Sequence, residues 1–201
     1  KVKLLGILAL HIGKRRYLSI NIDPVMSCNL RCKMCYFSDA ETAKKMRGKF
    51  SSDDLEAIAK SLFPRALRLQ IGCGAEPTVS QNLLQLVQLG KQYGVKHITI
   101  TTNGNLLTYE KLHKLVENGL TEITLSAHGF TKNTYQSLMT NGKFDLFTAL
   151  IENLARIRTD FPDFRIRVNY TVNADNAEEL IQLKEVFKAA KPNVVQIRPI
   201  Q

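Results

Sequence analysis

The apolar and polar residues of the chain alternate in six short segments, in the way expected of β-strands. Residues 17–23 (YLSINID) show this alternation first, and Pro24 then ends the segment. Residues 97–102 (HITITT) are rich in β-branched side chains, which favour strands. The six predicted strands cover residues 17–23, 65–71, 97–102, 122–126, 164–172 and 194–200.

Helix signals separate these strands. Ser51-Ser52-Asp53-Asp54 is typical of a helix start, and Pro64 follows the predicted end of that helix. Gly94 and Gly119 follow the predicted ends of two further helices, where a helix commonly stops. The predicted helices between strands cover residues 51–63, 78–93, 108–118, 131–139, 143–159 and 177–190.

This alternation of strands and helices predicts an α/β fold with a parallel sheet. Each connection is long enough for a helix, which is what parallel neighbouring strands require. Six strands are too few for a closed eight-stranded barrel, and the periodicity leaves a doubly wound open sheet as the alternative. In both architectures ligands bind at the carboxyl ends of the strands, so the functional residues are expected there.

The first twelve residues (KVKLLGILALHI) form the longest apolar run. The run is shorter than the roughly 18–20 residues of a membrane span, and we predict a helix that packs on the barrel or lies at its surface. No small-residue cleavage site follows, so we do not interpret it as a signal peptide. The expected organisation is an N-terminal extension over residues 1–16 and one core domain over residues 17–201.

The overall composition is that of an ordinary globular protein, with 44% hydrophobic and 23% charged residues. The net charge of +10 raises nucleic acid as a partner. The one dense basic cluster, residues 44–49 (KKMRGK), is however short, and we predict a solvated loop there. The alternative is a basic rim that receives an acidic electron-donor protein or a phosphate-bearing substrate.

Three of the four cysteines lie within eight residues, as Cys28-x3-Cys32-x2-Cys35. Three thiolates on one short loop can bind a soft-metal centre, and they leave one coordination position for another ligand. A structural zinc site needs a fourth ligand, and buried free thiols are a further alternative. Disulfides are disfavoured because the chain is not a cysteine-dense secreted scaffold. The pattern indicates a reducing, cytoplasmic location.

The cysteine segment resembles the cluster-binding loop of radical S-adenosylmethionine (radical SAM) enzymes. The resemblance implies a partial (β/α)6, TIM-like barrel and a [4Fe-4S] cluster bound by the three cysteines. It also implies S-adenosylmethionine on the open iron and an electron donor of the flavodoxin or ferredoxin type. Met34 stands where the family usually has an aromatic residue, and its thioether can pack under the adenine.

The resemblance extends to the ends of the later strands. Gly74-Ala75-Glu76-Pro77 resembles the family's Gly-Gly-Glu-Pro, which holds the methionyl amine of S-adenosylmethionine, and Ala75 would be strained there if that position needs a positive φ. The cofactor-binding residues that the resemblance implies are Met34, Gly74, Glu76, Thr102, Asn103, Ser126, Asn169, Asn173 and Ile200.

His128 and Arg198 are the candidates on the substrate side. His128 is a possible acid or base, and Arg198 is placed to face an anionic substrate group; the plainer alternatives are a satisfied loop histidine and a solvated residue at the barrel edge. Cys73, on the second predicted strand, is interpreted as a buried small hydrophobic residue and not as a fourth ligand.

The function expected from this resemblance is reductive cleavage of S-adenosylmethionine to a deoxyadenosyl radical that abstracts a substrate hydrogen, which belongs to oxidoreductase or transferase chemistry. The expected substrate is a peptide or a small molecule, and nucleic acid is disfavoured. The alternative is a non-catalytic iron–sulfur or zinc module for electron transfer. We also expect the 201 residues to be the barrel core of a longer protein, because the sixth strand lacks a following helix.

Overall fold

In the computed structural model, which describes residues 2–200, the six predicted strands are present with bounds within one or two residues of the prediction, and two short strands, Arg31–Cys32 and Met139–Thr140, are additional. Lys1 and Gln201, where the predicted domain limits begin and end, lie outside the described residues. The strands are β1 (Leu18–Ile22), β2 (Arg31–Cys32), β3 (Ala66–Ile71), β4 (His97–Thr102), β5 (Glu122–Ala127), β6 (Met139–Thr140), β7 (Arg165–Val172) and β8 (Val194–Pro199).

Six of these strands form one parallel sheet in the order β1-β3-β4-β5-β7-β8. A doubly wound sheet reverses its strand order at a switch point. Here each strand instead pairs with the strand of the same sheet that comes next along the chain, and the order never reverses. The predicted α/β fold with a partial (β/α)6 barrel is therefore confirmed, and the doubly wound alternative is wrong.

The helices follow the strands that they connect. The first turn of α3 shows why one of them begins where it does: Ser51 and Asp54 form a capping box, each bonding the backbone of the other. The helices are α1 (Val2–Ile12), α2 (Ala40–Lys45), α3 (Ser52–Leu62), α4 (Leu83–Gln92), α5 (Tyr109–Glu117), α6 (Lys132–Leu138), α7 (Phe144–Asp160) and α8 (Leu183–Val186).

The core lies between the sheet and the helices. Because side chains alternate along a strand, one face of the sheet presents buried apolar residues such as Leu69, Ile100, Leu125 and Val168. The other face is the concave inside of the partial barrel and presents polar side chains. Alternation along the parallel strands thus separates the packing face from the face that is available to ligands.

Several predicted elements differ from the structure. The predicted 78–93 helix begins only at Leu83, because Pro77–Val79 forms a 3-10 turn in which Glu76 accepts from Thr78 N. The predicted 177–190 helix is mostly a 3-10 segment followed by the short α8. There the Glu179 carboxylate accepts from the backbone of Phe130 and Thr131, which ties the segment to the end of β5.

The basic segment 44–49 is not wholly the predicted loop, since Lys44 and Lys45 form the last turn of α2. The N-terminal helix lies at the surface and does not pack on the barrel: Leu4 is 72% exposed and Ile12 is 72% exposed. None of the helices within residues 2–200 combines the length and the apolar character needed to cross a membrane.

Candidate active site

The three clustered cysteines follow β1 at the carboxyl end of the sheet. Their thiols are free, and Cys28, Cys32 and Cys35 line one cavity of about 370 Å³. Cys32 is fixed by the antiparallel pairing of β2 with β6, in which it lies opposite Met139. The side-chain amide nitrogen of Asn103 lies 3.9 Å from Cys28 Sγ. Three sulfur donors therefore face one space.

Burial raises the pKa of the Cys28 thiol, and it raises the pKa of the Cys32 thiol to about 12. The neighbouring cysteines and the Glu76 carboxylate add to both rises, because they disfavour another negative charge. A thiol binds a metal as the thiolate. The cavity therefore needs a positively charged centre to offset burial and repulsion if the three thiols are to ionise together.

Within residues 2–200, no three His, Cys, Asp or Glu side chains lie close enough together to bind a single metal ion. Cys73 lines the same cavity and is exposed, so it is not the buried hydrophobic residue that the sequence predicted. Three clustered thiolate donors fit an iron–sulfur centre with one open position, whereas a structural zinc site needs a fourth donor.

The loop after β3 depends on Gly72. Its φ is +81°, and an added Cβ would lie 2.5 Å from the Thr101 carbonyl oxygen and 2.7 Å from Pro77 Cδ. The positive φ thus falls on Gly72 and not on Ala75, where the sequence analysis considered strain. Alanine at position 75 is compatible with the loop, and Gly74 lines the cavity as predicted for a cofactor-binding residue.

Asp23 holds this loop against the cysteine segment, and the sequence analysis missed it. Its carboxylate accepts from the backbone nitrogens of Cys73 at 2.8 Å, Gly74 at 3.1 Å and Ala75 at 3.1 Å. The Tyr36 hydroxyl donates to the Gly74 carbonyl oxygen from the cysteine side. An acidic residue directly after the first strand, at the end where ligands bind, was the signal that could have identified Asp23.

Glu76 is the most heavily bonded side chain of the site. It is 3% exposed. Its Oε1 accepts from Thr78 N at 3.1 Å, Thr78 Oγ1 at 2.5 Å and Thr102 Oγ1 at 2.7 Å, while Oε2 accepts from Asn103 N at 2.8 Å. Burial nevertheless raises the pKa of Glu76, against the lowering effect of these bonds. The carboxylate joins the end of β3 to the end of β4.

We expect Glu76→Gln to destabilise the folded protein by about 2–4 kcal/mol. The amide places an NH2 group where the carboxylate accepts only, so buried donors of Thr78, Thr102 or Asn103 lose their partner. The measurement is the denaturant midpoint of the metal-free protein. Glu117→Gln, at an exposed position of α5, is the matched control and should change it by less than about 0.5 kcal/mol. Equal midpoints for both variants would contradict the bonding described here.

The structure brings most of the other predicted residues to the same cavity. Thr102 is 1% exposed, and its hydroxyl is occupied by Glu76 and by the backbone nitrogen of Gly104. Asn103 donates from Nδ2 to Asn29 Oδ1 at 2.9 Å. The remaining predicted residues that line the cavity are Met34, Ser126, His128 and Ile200.

Three predicted residues lie elsewhere. Asn169 and Arg198 line an adjoining cavity on the concave face of the sheet. Asn173 is not among the residues that line either cavity. It forms the turn after β7, where its Oδ1 accepts from Asp175 N at 3.0 Å and its own nitrogen donates to Asn176 Oδ1 at 2.8 Å.

His128 is 9% exposed, and burial lowers its pKa from 6.5 to about 4, against a smaller raising effect of the Thr171 backbone. Its Nδ1 has no hydrogen-bond partner among residues 2–200. The imidazole is therefore neutral near pH 7 and does not serve as an acid there. Its Nδ1 can take part in a hydrogen bond with a group in the cavity.

This lowered pKa predicts a pH dependence of stability. Between pH 6.5 and about 4 the unfolded chain binds a proton at His128 that the folded chain does not, so stability falls as the pH falls through this window, by up to about 3 kcal/mol. We expect His128→Gln to flatten this dependence, measured as denaturant midpoints at several pH values. The exposed His97→Gln should keep the full slope. Identical slopes for wild type and His128→Gln would contradict the assignment.

Comparison with known proteins agrees with this fold and this donor set. A sequence model of the Radical SAM superfamily matches residues 22–187, and the chain belongs to this family of enzymes. Membership implies an iron–sulfur cluster and S-adenosylmethionine as cofactors, so the fold and the radical SAM character predicted from the sequence are confirmed.

Curated relatives cover most of this chain. It is 27% identical over 184 residues, 90% of this chain and 57% of the relative, to a probable GTP 3',8-cyclase of Saccharolobus solfataricus. It is 31% identical over 146 residues, 70% of this chain and 28% of the relative, to a 7,8-dihydro-6-hydroxymethylpterin dimethyltransferase of Methanocaldococcus jannaschii. The chain thus spans about half, or less, of the length of these relatives.

Solved structures share the fold. SuiB of Streptococcus suis bound to S-adenosylmethionine superposes with a TM-score of 0.74 at 20% identity, over 97% of this chain and 44% of SuiB. SuiB bound to its precursor peptide SuiA gives 0.72 at 19% identity, over 97% of this chain and 42% of SuiB.

Proposed function

We propose that the protein binds a [4Fe-4S] cluster through Cys28, Cys32 and Cys35, and S-adenosylmethionine beside it. When bound, these groups supply a one-electron cleavage of the sulfonium to methionine and a deoxyadenosyl radical that abstracts a substrate hydrogen atom. The observation that carries the proposal is that three free thiols and the Gly74–Glu76 loop line one cavity at the carboxyl end of a parallel sheet.

The residues of the chain position and shield the cofactors. The backbone nitrogen of Leu30 and the side-chain amide nitrogen of Asn103 lie 3.4 Å and 3.9 Å from Cys28 Sγ, and such contacts to a ligating sulfur tune the potential of the centre. Asp23 and Glu76 fix the loop that contains Gly74. The backbone of Gly74 is the proposed contact for the methionyl amine. Because its carboxylate is occupied by four protein donors, we assign Glu76 a positioning role.

The rest of the cavity wall divides by chemistry. The half-buried hydroxyl of Ser126 suits the methionyl carboxylate or the ribose, and the apolar side chains of Met34 and Ile200 suit the adenine. His128, whose pKa is lowered to about 4 by burial, is a hydrogen-bond partner for the substrate and only a weak base. These assignments give the amine, the adenine, and either the carboxylate or the ribose of S-adenosylmethionine a partner of fitting polarity.

The electron donor is proposed to be a flavodoxin- or ferredoxin-type protein. A separate cavity, which Cys28 also lines, contains the basic residues Arg31, Arg47 and Lys49. A basic rim beside a cluster ligand attracts an acidic donor and speeds its encounter, an effect that salt screens. The rate of reduction by flavodoxin should therefore fall as the ionic strength rises. A rate that does not depend on salt would contradict the proposal that the basic rim receives an acidic electron donor.

The domain division and location follow from the same features. We propose residues 1–16 as an extension and residues 17–201 as the catalytic core, because the side chains of residues 3–14 are exposed. A cytoplasmic location is supported by the four free thiols, since three of them must stay reduced to bind iron. The substrate is proposed to be a small molecule or a peptide, the classes on which the named relatives act or which SuiB binds.

The experiment that tests this function is cofactor cleavage. Anaerobically reconstituted protein with dithionite and S-adenosylmethionine should form 5′-deoxyadenosine and methionine in equal amounts. The alternative function, a non-catalytic iron–sulfur or zinc module, predicts neither product. Tight zinc binding with no cleavage would overturn the enzymatic proposal.

A further inference from the structure

The concave face of the sheet contains a second cavity of about 290 Å³. Gly72, Cys73 and Thr101 line both this cavity and the one that holds the three clustered thiols. The two spaces therefore adjoin at the ends of β3 and β4. A small molecule seated in the second cavity reaches the wall of the first, so the cavity is placed where a substrate of a reaction at the cluster would lie.

Three guanidinium groups, from Arg68, Arg167 and Arg198, line this second cavity. Arg167 pairs with Glu122, with 3.3 Å between Nε and Oε1, and Glu122 is shared with Arg165 at 3.2 Å. One carboxylate thus faces two arginines. These three side chains alone carry a net positive charge, and Arg68 and Arg198 add to it.

Arg68 and Arg198 bond neutral partners instead of acids. Arg68 Nη2 donates to Gln70 Oε1 at 2.6 Å, and Arg198 Nη2 donates to Gln196 Oε1 at 2.9 Å. Within residues 2–200, neither arginine has a carboxylate at ion-pair distance. The amides orient the two guanidinium groups and leave their charge uncompensated. Two oriented, uncompensated guanidinium groups are a good receptor for a dianion.

A neutral acceptor completes the wall. Asn169 lines the same cavity, and its Oδ1 is buried with no hydrogen-bond partner in the described part of the chain. A buried acceptor without a partner is destabilising, and a ligand that donates a hydrogen bond would satisfy it. The cavity therefore suits a ligand with an anionic group near the arginines and a hydroxyl or amino group near Asn169.

We propose that this cavity binds the substrate and that the substrate is a small phosphorylated molecule, with its phosphate between Arg68 and Arg198 and a hydroxyl or amine on Asn169. The inference rests on the proposed function and names the substrate class of that site. A phosphate monoester carries a charge of about −1.5 to −2 near pH 7, which matches two uncompensated arginines. A carboxylate carries half of that charge and leaves one arginine unmatched.

The test measures binding and does not require turnover. Inorganic phosphate is titrated into the reconstituted protein by calorimetry, with acetate as the parallel carboxylate probe. Phosphate should bind more tightly than acetate, and Arg68→Gln and Arg198→Gln should each weaken it by about tenfold, the effect of losing one charge-assisted bond. The matched control is Arg15→Gln, an exposed arginine outside the cavity, which should leave the affinity within about twofold.

Each outcome decides the proposal. Unchanged phosphate affinity in both cavity variants, or a fall that Arg15→Gln shares, would overturn it. Acetate binding as tightly as phosphate would replace the phosphorylated substrate by a carboxylate. Formation of deoxyadenosine by the wild-type protein is measured in the same preparation. If no deoxyadenosine forms, the proposed function is contradicted. The phosphate titration tests the cavity independently of that result.

Discussion

The single variants Cys28→Ala, Cys32→Ala and Cys35→Ala are expected to lose the iron–sulfur cluster, from about four iron atoms per chain to fewer than one. Each thiol lines the same cavity, and each is proposed as one of the three protein ligands of the cluster. A variant with only two of these thiolates would hold the cluster too weakly to retain it. Iron and sulfide content, with the visible absorbance after anaerobic reconstitution, measures the effect.

The matched control is Cys73→Ala. Cys73 lines the cavity and is a free cysteine, but its backbone and not its thiol is bonded to Asp23. This variant should keep its iron. If Cys73→Ala lost as much iron as the other three variants, the cluster would have four cysteine ligands and no iron open to S-adenosylmethionine.

Gly72→Ala is expected to destabilise the protein by about 2–5 kcal/mol. The left-handed backbone disfavours any Cβ by about 1–2 kcal/mol, and the methyl group meets the Thr101 carbonyl oxygen at 2.5 Å and the Pro77 ring at 2.7 Å. These neighbours are backbone and a rigid ring, so they must shift at a further cost of about 1–3 kcal/mol. The denaturant midpoint of the metal-free protein measures the loss.

The control for this variant is Gly48→Ala. An added Cβ at Gly48 meets nothing within 4 Å, so the change should stay within about 0.5 kcal/mol. Because Gly72 also starts the loop at Gly74, the variant should in addition weaken S-adenosylmethionine binding. A Gly72→Ala protein as stable as Gly48→Ala would contradict the backbone conformation described for this loop.

The sheet could be predicted from the sequence because its signals are local. The predicted strand at residues 97–102 coincides with β4, His97–Thr102. The pairing of β2 with β6 could not be predicted, since each strand has two residues, too few for a period. The helices predicted at residues 78–93 and 177–190 are longer than the observed α-helices. Glu76 bonds the backbone nitrogen of Thr78, and Glu179 bonds the backbone of Phe130 and Thr131. Helix propensity contains no information about such side-chain bonds to the backbone.

The site was predictable in part for the same reason. The spacing of Cys28, Cys32 and Cys35 is a local pattern, and it was enough to predict a loop whose three cysteines line one cavity. The roles of Asp23 and Glu76 depend on partners far along the chain: Asp23 bonds Cys73 N at a separation of 50 residues, and Glu76 bonds Thr102 Oγ1 at a separation of 26. Such contacts exist only after the strand order has brought their ends together.

The most direct test of the account is the electron paramagnetic resonance spectrum of the reduced, reconstituted protein with and without S-adenosylmethionine. If S-adenosylmethionine binds the cluster as proposed, its binding changes the electronic structure of the cluster. We therefore expect about four irons per chain and a spectrum that shifts when S-adenosylmethionine is added. A spectrum that S-adenosylmethionine leaves unchanged would contradict the claim that three thiolates hold a cluster with one position free.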